Sequence, residues 1–317
     1  MPNKSGRTML NRNLLRAKVL QLVYANYKSG NRSMAEAKEE LRISLASSYD
    51  LYHYLLLLMV EITDYARLWL NSLTCYQLSA NPDAGAIQRL IDNRFVDQLM
   101  HNKQLRLWQE NPKIHHWTEA ETAVKNLYSA ISQSELCRNY LHAEVDDYAT
   151  DRAFWHKAYK AFIFQNEELD EVLEEWGLYW NDDKEIIDTF VQKTIKLFDP
   201  AAGADQPLLP AYGAEEDSDF ANRLFEQALG NIEQYEELIK PLITEAWDYS
   251  RIAPMDIVIM VCAVSELIAF PSIAVSITLN EYINLAKTYS SPKSAAFVNG
   301  ILDNVVGQFR KEGRILK

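Results

Sequence analysis

The sequence predicts an all-α protein, and two observations support this fold class. Apolar residues recur every three to four positions along most of the chain, the spacing that places them on one face of a helix. No stretch combines alternating polarity with the β-branched residues and hairpin turns typical of strands. The 317 residues, 48% of them hydrophobic, are enough for two globular units or for one helical core with a large insertion.

The N-terminal part is predicted to contain two amphipathic helices followed by a long apolar one. The first runs from about Met9 to Tyr27, and the second begins after Ser33. Glu36 follows Ser33 by three residues, which is the spacing of a capping box. The long helix covers "YDLYHYLLLLMVEITDYARLWLNSL" and is ended by the turn-rich segment "SANPDAG".

The middle of the chain, from Ala86 to Asp199, is predicted to hold several shorter helices rich in Trp and Tyr. Its most acidic stretch is "QNEELDEVLEEWGLYWNDDKEIID", for which a solvated helix face is the ordinary interpretation. The segment "DPAAGADQPLLPAYGAEED" follows, and its prolines and glycines predict a linker.

The C-terminal third is predicted to form a bundle of five helices. In the last of them Asn299 and Gly300 stand side by side, although a glycine inside a helix costs about 1 kcal/mol relative to alanine. We therefore expect Gly300 to permit the close approach of another helix. The predicted helices cover Asp217–Gly230, Ile232–Tyr249, Pro254–Phe270, Ile273–Tyr289 and Pro292–Lys311.

Charge is unevenly distributed along the sequence. The net charge is −12, yet residues 1–35 carry seven Lys or Arg and no acid. The last predicted helix is also basic. Two basic ends on an acidic protein predict a surface that binds a polyanion, with a solvated N-terminal arm as the alternative.

The sequence offers no candidate catalytic, cofactor or metal site. Its glycines are scattered and form no phosphate-binding loop, and its six histidines lie in no HExxH pattern. No apolar run reaches the roughly 20 residues of a membrane span. We expect a cytoplasmic protein that is not an enzyme, with three reduced, buried thiols at Cys75, Cys137 and Cys262.

A family resemblance comes from motifs in the C-terminal third. Asn280-Glu281, Leu285-Ala286-Lys287, Tyr289, Ser294, Phe297-Val298-Asn299-Gly300 and Leu302-Asp303 stand at fixed spacing within 24 residues. Together with the opening helix "NRNLLRAKVLQLVYANYKSG", they resemble the NusB family of transcription antitermination factors. Departures from the family's usual residues stand at Asn13, Val261 and Ser265.

The resemblance implies a NusB-like helical bundle of two subdomains, here with a large additional helical insertion. Residues 1–46 would supply the basic N-terminal helices and residues 213–317 the C-terminal bundle, while residues 47–212 would be the insertion. The implied function is binding of boxA-type single-stranded RNA together with NusE, the small-subunit ribosomal protein. The complex would join other Nus factors on RNA polymerase and support processive transcription of ribosomal RNA operons.

The resemblance also nominates binding residues, each with an ordinary structural alternative. Arg12 and Arg16 could merely solvate a helix, Tyr24 could belong to the core, and Phe297 could pack on a neighbouring side chain. A lysine at the start of a helix opposes the macrodipole, which a bound phosphate would offset. The predicted RNA-binding residues are Arg12, Arg16, Tyr24, Lys293, Phe297 and Asn299, and the predicted partner-binding residues are Asp256, which could instead be a helix cap, and Glu266.

Two rival functions remain open at this stage. NusB-like domains also accompany ribosomal RNA cytosine methyltransferases, but that role needs a cofactor-binding α/β domain with a Gly-rich loop. A helical protein–protein adaptor is the other alternative, in which the acidic insertion binds a partner. The resemblance does not carry over to the insertion, so its role is not implied.

Overall fold

The computed structural model confirms the all-α class and divides the chain into two compact units. It describes residues 10–30, 33–74, 77, 86–180, 183–212, 215–243, 249–291 and 293–314, and these ranges contain fifteen α-helices and no strand. Unit 1 comprises residues 1–45 and 212–317, and unit 2 comprises residues 46–211. The sequence of unit 1 is therefore discontinuous.

Unit 1 is a bundle arranged around one buried helix, α13 (Pro254–Ala269). Every residue of α13 from Asp256 to Leu267 is buried, as expected of a helix that is apolar on all sides. Its neighbours are α1, α11, α12, α14 and α15. The helices are α1 (Arg12–Ser29), α2 (Met34–Ser72, of which residues 46–72 belong to unit 2), α11 (Glu215–Gly230), α12 (Ile232–Ile239), α13 (Pro254–Ala269), α14 (Val275–Tyr289) and α15 (Ser294–Lys311).

Local sequence signals set the helix ends in unit 1. The Asn11 side chain accepts hydrogen bonds from the backbone N–H groups of Asn13 and Leu14 at the start of α1. The predicted capping box is confirmed at α2, where the Glu36 carboxylate accepts from the Ser33 N–H at 2.8 Å. In return the Glu36 N–H donates to the Ser33 hydroxyl at 3.3 Å.

One predicted helix is shorter than expected. The periodicity predicts a helix from Ile232 to Tyr249, but α12 ends at Ile239 and a 3₁₀ turn, Lys240–Leu242, follows. Pro241 explains the difference because it has no N–H for the i→i−4 bond and its ring clashes with the preceding turn.

Unit 2 packs short helices against the long apolar part of α2. A π-helical turn, Tyr159–Ile163, follows directly after α8. The helices are α3 (Gln88–Ile91), α4 (Arg94–Met100), α5 (Lys103–Gln109), α6 (Glu121–Ser132), α7 (Glu135–Leu141), α8 (Tyr148–Ala158), α9 (Glu167–Trp176) and α10 (Lys184–Leu197). The predicted turn "SANPDAG" lies outside the described residues.

Most of the predicted linker is in fact part of unit 2. Leu208 and Leu209 are buried, and the Gln98 side chain donates to the carbonyl oxygens of Asp199 and Gly203, both at 2.9 Å. The two ends of unit 2 also meet, since the Tyr49 hydroxyl donates to the Leu209 carbonyl at 3.0 Å. The proline and glycine content thus marks an irregular but packed segment.

Among the described residues, α2 is the one helix long and apolar enough to cross a membrane. Its most apolar window is 72% buried inside the protein, and core helices of globular proteins give the same signal. The apolar side chains of α2 are therefore satisfied by packing within the protein.

A cluster of aromatic rings forms part of the core of unit 2. The Tyr54 ring lies within 6.4 Å, centroid to centroid, of four tryptophan rings, those of Trp108, Trp117, Trp176 and Trp180. The Trp180 indole N–H donates to the Ser47 carbonyl at 2.7 Å, which fixes the ring on α2. Such ring pairs contribute about 0.5–1.5 kcal/mol beyond the area they bury.

A glycine makes this aromatic packing possible. An added Cβ at Gly177 would lie 2.4 Å from the Trp180 ring. We predict that Gly177→Ala destabilises the protein by about 1–3 kcal/mol, because a buried indole with a fixed hydrogen bond must move. Chemical unfolding followed by circular dichroism measures the change.

Gly300→Ala is the matched control for this prediction. The same methyl group there meets no atom within 4 Å on an exposed helix position, so it is expected to stabilise the protein by about 0.5–1 kcal/mol. Equal effects of the two substitutions would contradict the packing argument.

A buried histidine in the same core makes stability depend on pH. His53 is 3% exposed, its Nδ1 lies 2.8 Å from the Tyr49 carbonyl oxygen, and its ring stacks on Trp108. Burial lowers the pKa of His53 to about 4. The neutral ring donates its Nδ1–H to the carbonyl, and the apolar surroundings oppose a positive charge.

We predict that acidification destabilises the protein through His53. The pKa is lower in the folded state than its unfolded value of about 6.5, so between these values the unfolded chain binds more protons. The contribution of His53 to the free energy of unfolding is fully present above pH 6.5, and about 3 kcal/mol of it is lost as the pH falls to 4. Urea unfolding of His53→Phe should show a smaller pH dependence than the wild type, whereas the exposed His101→Phe serves as the control. An unchanged dependence in His53→Phe would refute this assignment.

Candidate nucleic-acid interface

Two buried charges of unit 1 form an ion pair between α1 and α13. Arg16 Nε donates to Glu266 Oε2 at 2.7 Å, and Arg16 Nη2 donates to Glu266 Oε1 at 2.9 Å. The side chains are 3% and 0% exposed. This two-pronged geometry is the strongest form of arginine–carboxylate contact.

Other side chains complete the hydrogen bonding of the pair. Thr278 and Tyr282 on α14 donate their hydroxyls to the Glu266 carboxylate at 2.9 and 3.2 Å, and Asn13 accepts from Arg16 Nη1 at 3.3 Å. Burial lowers the pKa of Arg16, but the hydrogen bond and charge of Glu266 outweigh it, so the pKa is raised overall. Arg16 therefore stays charged inside the bundle.

This geometry corrects two predicted site residues. Arg16 was expected to contact RNA phosphates and Glu266 to contact a protein partner, but each side chain is buried against the other. A guanidinium with 3% exposure presents almost no surface to a phosphate. Both residues hold α1, α13 and α14 together instead.

Asp256, the other predicted partner-binding residue, is also buried. It is 6% exposed, and its Oδ2 accepts from the Ser294 hydroxyl at 2.9 Å, which links α13 to the start of α15. The helix-cap alternative is wrong as well, because Ala253 occupies the cap position and Asp256 is the third residue of α13. A direct contact with a partner protein does not fit this placement.

Arg12 is half-buried and lies one helical turn before Arg16, on the same face of α1. Its guanidinium carbon is 5.3 Å from the centroid of the Phe220 ring, and that of Arg16 is 5.4 Å from the same ring. Nine residues separate Arg12 from Gln21, so the two side chains leave α1 on opposite sides.

A hydrogen bond joins the far side of α1 to the last residue of α14. Gln21 Nε2 donates to the Tyr289 hydroxyl at 3.2 Å. Tyr24 follows Gln21 by three residues on the same side of α1 and is half-buried. Tyr289 is four residues before Lys293, so this bond links α1 to the end of α14, shortly before α15 begins.

The first turns of α15 carry the remaining predicted residues. Lys293 is exposed at the cap position, Phe297 is half-buried one turn later, and Asn299 donates to the Asp303 carboxylate at 3.3 Å. We call Gln21, Tyr24, Tyr289, Lys293 and Phe297 the α1–α15 surface. It combines aromatic rings with a cation beside a helix N-terminus.

Gly300 does not have the expected role. It is exposed, and a Cβ added there would meet no atom within 4 Å, so no helix packs closely on it. The prediction that Gly300 permits helix packing is wrong, and the backbone at this position is open to solvent.

The described residues give no candidate metal centre, and the two described cysteines are buried. Within the described residues, no group of three or more His, Cys, Asp or Glu side chains could hold a metal ion. Cys137 and Cys262 are buried free thiols, and burial raises the pKa of Cys262. Cys75 lies outside the described residues.

Sequence reasoning missed the partners of the buried pair, Thr278, Tyr282 and Phe220. One signal could have indicated them, because Glu266 stands in the otherwise apolar helix "PMDIVIMVCAVSELIA". A carboxylate in such a helix requires a buried cation and further donors. Arg16, which stands among apolar positions in α1, was the candidate for this cation.

These features define an all-α protein, and comparison with known proteins agrees. The NusB family profile matches residues 204–307. Three relatives are each named "Transcription antitermination protein NusB". The chain is 34% identical over 99 residues to the one from Salinibacter ruber (31% of this chain, 61% of that protein), 34% over 129 to the one from Geotalea daltonii (41% and 86%), and 38% over 90 to the one from Dictyoglomus thermophilum (27% and 60%).

The chain belongs to the NusB family. It covers 86% of the Geotalea daltonii protein but only 61% of the Salinibacter ruber protein, and both alignments use less than half of this chain. No solved structure matches the chain significantly.

Removing one member of the buried pair should be severely destabilising. We predict that Glu266→Gln costs about 3–5 kcal/mol, because it leaves the Arg16 charge buried without a counter-ion. The exposed pair Lys38–Glu226, 2.5 Å apart in the same unit, is the matched control. Glu226→Gln should change stability by less than about 1 kcal/mol.

The double variant Arg16→Met/Glu266→Leu tests the cause of that loss. It should be less destabilised than the sum of Arg16→Met and Glu266→Leu, since it buries no unpaired charge. Urea unfolding of all variants gives the free energies. Additive losses would contradict the ion-pair interpretation.

Proposed function

We propose that this protein is a transcription antitermination factor that binds boxA-type single-stranded RNA together with NusE. In this role it supports processive transcription of ribosomal RNA operons, in a complex with other Nus factors and RNA polymerase. It acts in the cytoplasm and is not an enzyme. Family membership and the names of the relatives support the antitermination role.

The observation that carries the RNA-binding proposal is the Gln21–Tyr289 hydrogen bond, which links the side of α1 that holds Tyr24 to the segment leading to Lys293 and Phe297. Single-stranded RNA is recognised by stacking of unpaired bases on aromatic rings and by hydrogen bonds to base edges. Tyr24 and Phe297 supply rings, and the Asn299 amide supplies an edge partner. Lys293 and the N-terminus of α15 attract a phosphate.

The distribution of charge favours unit 1 as the RNA-binding unit. Residues 46–211 hold 26 acidic and 14 basic side chains, a net charge of −12, so the rest of the chain holds 18 of each and is neutral. The negative charge of unit 2 opposes a polyanion. Arg12 is a further phosphate contact in this proposal, on a separate side of α1.

The rival functions have less support. The methyltransferase-associated role needs an α/β domain, and the described part of the chain contains no strand. The acidic insertion is compatible with an additional protein-binding role, which does not replace RNA binding in unit 1.

Fluorescence anisotropy tests the proposal with a labelled boxA-like RNA, a scrambled RNA, and NusE present or absent. We predict preferential binding of boxA that NusE strengthens. Phe297→Ala should weaken boxA binding more than scrambled binding, because stacking depends on the register of bases. Lys293→Ala should weaken both and reduce the salt slope by about 0.7.

Lys311→Ala is the matched control because it removes an equal charge 18 residues further along, at the other end of α15. It should change neither the salt slope nor boxA preference. Binding without sequence preference in every condition would refute the proposal.

A further inference from the structure

Unit 2 contains a cavity that the proposed RNA-binding function does not use. It has a volume of about 160 Å³, the share of about five water molecules in the liquid. Buried Leu173 and Trp180 form its apolar part. The polar lining residues are Gln165, Asp170, Glu174, Lys184, Glu185 and Asp188.

The one cation of the cavity lining, Lys184, lies between two carboxylates and a backbone carbonyl. Lys184 Nζ lies 3.0 Å from Asp188 Oδ2, 3.1 Å from Asp170 Oδ1 and 3.3 Å from the Ile163 carbonyl oxygen. The contacts with Asp188 and Ile163 are hydrogen bonds, whereas Asp170 Oδ1 is buried and accepts no hydrogen bond. Two further carboxylates, Glu174 and Glu185, are exposed beside this group of one cation and two carboxylates. The cavity is therefore net negative.

The backbone around the cavity is irregular in two places. The π-helical turn Tyr159–Ile163 supplies the carbonyl that holds Lys184, and Gln165 has a φ of 54°, in the left-handed region. Both conformations are uncommon outside functional sites. They place the Gln165 side chain in the lining of the cavity.

The surface next to the cavity is acidic with an apolar contact point. Helix α9 carries six acidic side chains in ten residues and no basic one. Leu178, two residues after α9, is 82% exposed, and Trp176 is half-buried. Exposed aliphatic and aromatic side chains inside a charged rim are typical of protein-binding surfaces.

We propose that this surface binds a basic segment of a partner protein, with an arginine side chain of that segment in the cavity. A guanidinium can bond to the Glu174 and Glu185 carboxylates and stack on the Trp180 indole, which an ammonium does less well. The complementary charge of unit 2, −12 overall, favours the encounter, and Leu178 contacts an apolar residue of the segment. This inference goes beyond RNA binding and does not depend on it.

Anisotropy of a fluorescein-labelled twelve-residue peptide that alternates arginine with leucine and serine tests the proposal on the full chain. The peptide should bind at low salt, more tightly than its lysine version, and the glutamate version should not bind. Glu174→Gln/Glu185→Gln should weaken binding by roughly tenfold. The control Glu110→Gln/Glu144→Gln removes the same charge from exposed positions outside the cavity and should weaken it by less than about twofold.

Three outcomes would overturn the proposal. Equal weakening by the two double variants would mean that only diffuse charge attracts the peptide. Absence of peptide binding would mean that the surface does not recognise a basic segment that contains arginine. Loss of boxA RNA binding in Glu174→Gln/Glu185→Gln, with peptide binding unchanged, would make the cavity part of an RNA site. The RNA measurements on unit 1 variants are independent, so either proposal can fail alone.

Discussion

The buried ion pair between Arg16 and Glu266 is the interaction on which unit 1 depends. A charge at the centre of an apolar helix is tolerated only with a counter-ion and further donors, and these come from two other helices. The pair therefore specifies which helices surround α13 and in which register α1 lies. Hydrophobic packing alone would be less selective, because α13 is apolar on all sides.

The sequence predicted the fold class and most helices of this protein, because helical periodicity, capping residues and prolines act locally. It predicted the site less well. Arg16 stands in a basic segment of the kind that binds RNA. Only its ion pair with Glu266, 250 residues away, shows that its charge is neutralised inside the protein. Gly300 illustrates the opposite error, since an exposed helical glycine and a packed one have the same sequence signature. Burial depends on tertiary contacts that periodicity does not contain.

The two units differ in net charge and in the side chains of their cores. Unit 1 is electrically neutral, and its last helix carries cations at both ends, Lys293 at the start and Arg310 and Lys311 at the end. Unit 2 carries the whole net charge, and its core includes a cluster of tryptophan and tyrosine rings. In the proposed RNA-binding role, the negative charge of unit 2 would oppose non-specific RNA binding, so selectivity would come from stacking and edge contacts of unit 1 rather than from bulk charge.

The contact between the two ends of unit 2 has a consequence for folding. Arg16 and Glu266 can pair only after a loop of about 250 residues closes, which is entropically costly. When unit 2 folds first, the Tyr49–Leu209 hydrogen bond holds its ends together and shortens that loop to about one third. By the logarithmic dependence of closure entropy this lowers the cost by about 1 kcal/mol. A folded unit 2 thus lowers the entropic cost of assembling the discontinuous bundle, compared with an unfolded one.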